Sequence, residues 1–343
     1  MARIAILFYI LNLPSFFLRR IGNKIMNFIS ENLSLTHLTI TDNRRIDGVT
    51  LENFFKKQRE LIYCNFRGTE IVKPENSQIL KSLTPNVTRI SFKLCKFFND
   101  NHILGVETNF NYLTRVDFQG CVDLTDKSIN FFLSLVPNLY ELDLRECEKI
   151  NTSLKMLPVY CPNIRILELR NCKQIENEVL YSITNGKKHF FILKFQKKKK
   201  KGCPKIKILT LNNCSLLSES LYSLVNLKEL NILAMGENEN VTDNLIQIII
   251  PKLKNITKLG ISNTSATLNS LAIISENLKE IDTINFSGIE LTIEDIEKFC
   301  LENTFLTRVT VPNLPNPELK KLREKLHLLT KRTIKLGTQP EKK

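Results

Sequence analysis

A stack of short parallel strands, each returned by a helix, is the α/β solenoid that this sequence predicts, and three observations predict it. An apolar frame recurs along the 343 residues at a nearly fixed interval. Inside each copy, apolar residues alternate with polar ones at the two-residue period of a strand with one buried face. Between copies lie stretches such as Thr125 to Leu135, where Ile129, Phe132 and Leu135 keep helical spacing behind Thr and Asp, residue types that cap a helix N-terminus. The expected shape is a curved horseshoe, with strands on its concave side and helices on its convex side.

The frame is apolar at offsets 0, 3 and 5, with Cys, Asn or another small or apolar residue at offset 8. Its clearest copies are Leu113, Val116, Phe118, Cys121; Leu139, Leu142, Leu144, Cys147; and Ile164, Leu167, Leu169, Cys172. Copies start at residues 35, 61, 87, 113, 139, 164, 206, 230, 256, 281 and 306, an interval of 24 to 26 residues with one exception of 42. This is the L-x-x-L-x-L-x-x-N/C frame of a leucine-rich repeat. Offset 8 falls where the chain turns out of the strand, and a Cys or Asn there can bond backbone groups that the turn would leave unpaired. Asn43, Cys95, Cys121, Cys147, Cys172, Cys214 and Asn238 stand at that offset.

The elements outside the frame read as follows. Residues 1–34 are an N-terminal helical cap or degenerate box. The apolar run Ile4 to Leu13 lacks a small-x-small cleavage site and is far shorter than a membrane span, so it reads as a buried capping helix over a secretion signal. Residues 35–314 hold about 11 repeats. Deleting residues 187–202 turns the 42-residue interval into one of 26, so that segment is an insertion. Residues 315–343 are a C-terminal capping helix with a basic tail: Asn316 is the expected cap, Pro317 suits the first turn, and Leu319, Leu322, Leu326 and Leu329 face the last repeat.

Composition removes several classes of function. With 43% hydrophobic residues the chain can bury a large core, and with only 11 Gly it has no Gly-rich phosphate loop. The net charge of +14 is not spread over the fold: residues 187–202 carry +8 and residues 318–343 carry +6, leaving the remainder formally neutral. A nucleic-acid partner therefore loses its main support, and no membrane partner is expected. The nine cysteines all fall at places in the repeat, none as CxxC, which excludes zinc and redox motifs and suits reduced thiols in the cytoplasm or nucleus. No metal, cofactor or catalytic residue is expected. The histidines 37, 102, 189 and 327 are far apart, and no P-loop, HExxH or nucleophile elbow occurs.

The stretch Cys161-Pro-Asn-Ile-Arg-Ile-Leu-Glu-Leu-Arg-Asn-Cys172, with Leu124-Thr-Asp126 after Cys121, resembles the cysteine-containing subtype of leucine-rich repeats found in F-box/LRR substrate receptors. The resemblance covers about residues 35–314. It implies a protein substrate held on the concave face for a cullin-RING ubiquitin ligase, with a Skp-type adaptor and cullin docked through the N-terminus. Leu13-Pro14-Ser-Phe-Phe17-Leu18-Arg-Arg-Ile21 is similar to the opening of an F-box helix, but no Trp-containing closing helix follows, and the chain has no Trp. The alternative is a leucine-rich scaffold or inhibitor without a ligase. In either case the chain is expected to act as a monomer within a complex.

Equal offsets on adjacent strands form stripes. Offset 4 carries Asp117, Asp143 and Glu168; offset 6 carries Arg145 and Arg170; offset 2 carries Arg115 and Glu141, then Ile166, Ile208 and Ile232. An acid pair can hydrolyse, yet an open sheet face with Arg115, Arg145 and Arg170 beside the acids reads as a mixed-charge binding surface. Three apolar side chains with a charged rim have the make-up of a protein contact centre, which places a partner across repeats four to eight.

The insertion KKHFFILKFQKKKKKG has no solenoid pattern and reads as an unspliced intron in the gene model rather than a basic patch. Amplification of the transcript across this junction is expected to yield a message without these 16 codons; a mature message that encodes all of them overturns the reading.

Overall fold

Apolar side chains at offsets 3 and 5 point to one side of an extended backbone, so each copy of the frame can bury them only by stacking on its neighbours. The computed structural model describes residues 15–18, 20–73, 78–185, 202–312 and 314–338. The capping helix expected over Ile4 to Leu13 and insertion residues 187–201 lie outside them. The chain divides into two compact units, Met1–Met156 and Leu157–Lys343.

In the first unit, β1 (Ser15–Leu18), β2 (His37–Ile40), β3 (Tyr63–Asn65), β4 (Arg89–Ser91), β5 (Arg115–Asp117) and β6 (Glu141–Asp143) pair in chain order, all parallel. In the second, β7 (Ile166–Glu168), β8 (Ile208–Thr210), β9 (Ile232–Ala234), β10 (Lys258–Gly260), β11 (Thr283–Asn285), β12 (Arg308–Val311) and β13 (Lys335–Thr338) do the same. From β2 to β12 every strand begins two residues after a start read from the sequence. Helical segments return the chain between strands, for example Asp126–Leu135, capped by the Thr125 hydroxyl, and Ile293–Glu302, closed by a Thr292–Asp295 capping box.

The two outer strands are where structure and sequence reading part. The helical cap or degenerate box expected over residues 1–34 meets a strand: Ser15–Leu18 is extended and pairs with β2, and among the described residues the first helix is Asn23–Asn32. The physical reason lies in the frame itself. Leu13, Phe16, Leu18 and Ile21 stand at offsets 0, 3, 5 and 8, and a strand here covers the edge that β2 would otherwise leave unpaired.

At the other end, the Asn316–Thr330 helix forms and buries Leu319, Leu322 and Leu326 against the preceding helix and β13, while Leu329 in its last turn is 58% exposed. The expected Asn316 cap is replaced: Pro315 holds the cap position, and its carbonyl accepts the N–H groups of Glu318 and Leu319. This helix does not close the stack. The chain turns at Lys331 and adds β13, and Arg332 donates to the Cys300 and Asn303 carbonyls at the end of the Ile293–Glu302 helix. Around the insertion the repeat closes on itself, because the Cys203 N–H donates to the Ile183 carbonyl at 2.6 Å. Gly202 makes that closure possible, with φ +65° and no room for a Cβ, which would meet the Ile183 oxygen at 2.4 Å.

Two ladders of hydrogen bonds tie repeats together. At offset 8, Cys95, Cys121 and Cys147 donate Sγ–H to the offset-5 carbonyls of Phe66, Phe92 and Phe118 at 2.8, 3.1 and 3.2 Å, and Cys214 does so to Leu169 at 3.1 Å. Asn238 reaches Leu211 O at 2.8 Å by the same path, and Thr69 reaches Ile40 O at 3.0 Å. Asn43 joins them through Ile21 O at 2.9 Å. At the helix starts, Asp126 accepts the N–H groups of Asn151, Thr152 and Ser153 at 2.8–2.9 Å, Asp243 accepts that of Thr267 at 2.8 Å, and Asn177 that of Leu217 at 2.9 Å. Burial alone raises the Asp126 carboxyl, but those three donors outweigh it and hold it below the usual range.

Offset 5 sets the character of the core. In the first unit it is aromatic at its middle, Phe66, Phe92 and Phe118, between Ile40 and Leu144, with Phe66 and Phe92 stacked at 5.3 Å and Phe98 of the following turn on Phe92 at 4.1 Å; in the second it is mostly aliphatic, as Leu169, Leu211, Met235 and Ile261. Leu142, Leu144, Leu167 and Leu169 are fully buried, as their offsets require. Leu142→Asp puts an unpaired charge into that stack and is expected to cost about 4 kcal/mol or more, enough to leave little folded protein by circular dichroism. A cooperative melt like that of the unaltered chain would contradict the register.

Candidate functional site

On the strand face, side chains at equal offsets of paired strands stand in ranks. Offset 4 proves to have a duty in the turn. Asn65, Asp117, Asp143 and Asn285 each accept, through Oδ1, the backbone N–H two residues on, at 3.0–3.1 Å, and so close the exit from their strand. Sequence reading missed this role, although Asx residues ahead of a turn are its signal.

In the first unit, Asp117 lies beside Asp143 in register on β5 and β6. Asp143 is buried and gripped by Arg145, whose Nε donates to both carboxylate oxygens at 3.0 Å. Arg115 faces Glu141 at 3.6 Å. Asp117 takes no arginine; the Ser91 hydroxyl donates to it at 3.2 Å and the Gln119 N–H at 3.1 Å. Burial and then the neighbouring Asp143 charge push its carboxyl up from the ordinary range. Of the three arginine–acid neutralisations expected at offset 4, Arg145–Asp143 forms, while Arg115 turns to Glu141 at offset 2 instead of Asp117.

In the second unit the third is absent. Arg170 turns to Glu237 at 4.0 Å, and Glu168 instead accepts the Thr210 hydroxyl at 2.5 Å. The reason is register: Glu168 and Thr210 are direct cross-strand partners on β7 and β8, whereas Arg170 lies past the strand end. Ile166, Ile208 and Ile232 stand as cross-strand partners in one row and are half-buried. They have no duty in the turn. Two residues on from Ile232 along its strand, the small residues Ala234 and Gly260 are cross-strand partners, so the isoleucine row adjoins a stretch of face with little side-chain bulk.

All nine cysteines are free and buried, and burial pushes the thiols of Cys95, Cys161 and Cys300 up to about 12. Among the described residues, no three His, Cys, Asp or Glu side chains come together as a metal-binding group, and no helix is long and apolar enough to cross a membrane.

No family model matches the sequence, and no curated protein matches it. Solved structures do match in shape. A chain in the crystal structure of the Rad7 and Elc1 complex of yeast superposes with a TM-score of 0.55 at 15% identity, covering 84% of this chain. This chain spans 66% of that one, just under two thirds. An internalin (inlF) of Listeria monocytogenes superposes with a TM-score of 0.50 at 13% identity, over 89% of this chain and 87% of its own. At such identities the likeness is one of fold: the chain is an α/β leucine-rich repeat solenoid.

The Asp117–Asp143 pair gives a test with a definite sign. Folding raises the Asp117 pKa, so stability falls as pH climbs from the ordinary carboxylate value near 3.8 through the raised folded value. Asp117→Asn keeps an acceptor for Gln119 and removes the charge. Its melting temperature at pH 7 is expected to exceed that of the unaltered chain by about 1–3 °C, the gain shrinking to nothing below about pH 3.5. A lower melting temperature at pH 7 refutes repulsion between the pair.

Proposed function

We propose that this chain is a non-enzymatic protein-binding module whose strand face takes the partner. The observation that carries the proposal is the row Ile166, Ile208 and Ile232. Three branched apolar side chains stand in one row, each partly open to solvent, and a protein contact gives them cover. On the second unit the contact residues are these three with Glu168 and Arg170; on the first they are Arg115, Asp117, Glu141, Asp143 and Arg145. Catalysis by the acids is disfavoured, because Asp143 is committed to Arg145 and both aspartates brace their own turns.

Within that role, we favour the substrate-recognition subunit of a cullin-RING ubiquitin ligase. The cysteine-containing repeat, with its thiol-to-carbonyl ladder, resembles that of F-box/LRR receptors, and buried free thiols suit the cytoplasm or nucleus. A fold neighbour comes from a complex of two proteins, which is compatible with assembly on an adaptor. A second reading, a scaffold or inhibitor without a ligase, is favoured by one observation: the segment similar to an F-box opening pairs as β1. A Skp-type adaptor would then have to dock elsewhere.

Affinity capture with the full chain, followed by mass spectrometry, separates them. The ligase reading expects a Skp-type adaptor and a cullin to co-purify; recovery of one partner without either selects the scaffold. In both cases the double variant Ile208→Asp, Arg170→Glu is expected to lose the partner by tenfold or more while keeping its melt within about 3 °C. Full capture by that folded variant would remove the strand face from consideration.

A further inference from the structure

The isoleucine row does not stop at Ile232. Through the registers of the second unit it runs Ile166, Ile208, Ile232, Lys258, Thr283, Arg308 and Lys335, one residue per strand from β7 to β13. The first three positions are apolar and half-buried; Lys258, Arg308 and Lys335 are exposed. One acid lies beside the basic part, Asp282, whose carboxylate accepts the hydroxyls of Thr283 and Thr307, with Lys258 and Arg308 acting on it through space. Three cations against one acid leave that half of the row positive. The floor next to the row is small where the two halves meet: Ala234 and Gly260 are cross-strand partners, and a Cβ on Gly260 would lie 3.4 Å from that of Ala234.

We infer that this row binds an extended polypeptide segment in which a block of large apolar residues adjoins a block of acidic ones. The inference rests on the strand face being the binding surface and adds the chemistry of what binds. Strands spaced about 4.8 Å apart make the row about 29 Å long, the reach of about nine extended residues lying across the strands. The apolar block covers the isoleucines and sets one large side chain over Ala234 and Gly260. The acidic block meets Lys258, Arg308 and Lys335, giving a salt-sensitive contribution on one half only. A single-stranded nucleic acid is the less suited occupant, since the row offers three isoleucines and no aromatic ring on which bases could stack.

The test uses the full chain and three fluorescein-labelled peptides of one length, read by anisotropy. The first carries four apolar residues followed by four Glu or Asp, the second the same residues in alternation, and the third Lys in place of the acids. The first is expected to bind about tenfold more tightly than either other, and to weaken with salt. Lys258→Glu with Arg308→Glu is expected to reverse the preference, so that the lysine peptide binds best. Gly260→Leu sets its Cβ in ordinary contact with Ala234 and its larger side chain on the strand face, and is expected to weaken the block peptide about tenfold at an unchanged melt. Equal binding of block and alternating peptides, no binding of the block peptide at about 1 mM, failure of the charge reversal to swap the preference, or tighter binding of a single-stranded oligonucleotide would each overturn the inference. If the peptides fail while capture of the cellular partner still depends on Ile208, the strand face keeps its role and only the block chemistry falls.

Discussion

A chain that leaves a three-residue strand and turns back under its neighbour must bury the carbonyl at the strand's end, where water cannot reach it. An acceptor so placed and left unpaired costs about 1–3 kcal/mol, and here the situation recurs in repeat after repeat. The carbonyls of Phe66, Phe92, Phe118 and Leu169 each take the N–H three residues on in their own turn, and the following repeat adds a second donor from the residue entering its turn. Cys95, Cys121, Cys147 and Cys214 supply a thiol, Asn238 an amide and Thr69 a hydroxyl, each to the offset-5 carbonyl one repeat earlier. Three unlike side chains perform one task because each is short, carries a proton and fits the same gap.

That requirement fixes much else. It locks the register of each strand against the last, since a slip of one residue would carry the donor away from its carbonyl and turn offsets 3 and 5 to solvent. It also explains why a second ladder is needed on the helix side, where Asp126, Asn177 and Asp243 each hold the start of the next helical segment. With offsets 3, 5 and 8 committed to the interior and offset 4 often to the turn, the exposed positions left to vary freely are few. Offset 2 is one of them, and on this chain it changes from isoleucine to lysine and arginine within one unit.

Strand positions were legible because alternation and interval state the same thing twice. Offsets 3 and 5 repeat so regularly that β2 to β12 could be placed from them. The outermost strands escaped notice for different reasons. Leu13, Phe16, Leu18 and Ile21 do keep the frame, but the step to residue 35 is 22, and Leu-Pro carries a competing helical meaning. Thr333 and Leu336 match offsets 0 and 3 only in part, with Thr at the first. On the strand face, sequence could name the residues but not their partners. Arg170 pairs with Glu237, 67 residues on and two strands away. Nor could it tell that Asp117 would be left without an arginine while Asp143, its register partner, takes one. Those outcomes depend on side-chain direction beyond the strand end, which periodicity does not encode.

The thiols that bond the turn carbonyls have a further property as chemical reporters. A buried cysteine stands in nearly every repeat between Tyr63 and Cys214, and those whose pKa burial raises, Cys64, Cys95, Cys121, Cys161, Cys203 and Cys214, are nearly inert to alkylation while their repeats stay closed. Reaction needs an opening that breaks the bond to the preceding repeat, so the labelling rate at each sulfur measures the local opening equilibrium at that point of the chain. In a protein whose repeats interact mainly with their neighbours, such rates would trace a profile of cooperativity along the stack. This molecule thus carries its own set of probes, already in place at the contacts that decide whether adjoining repeats open together or apart.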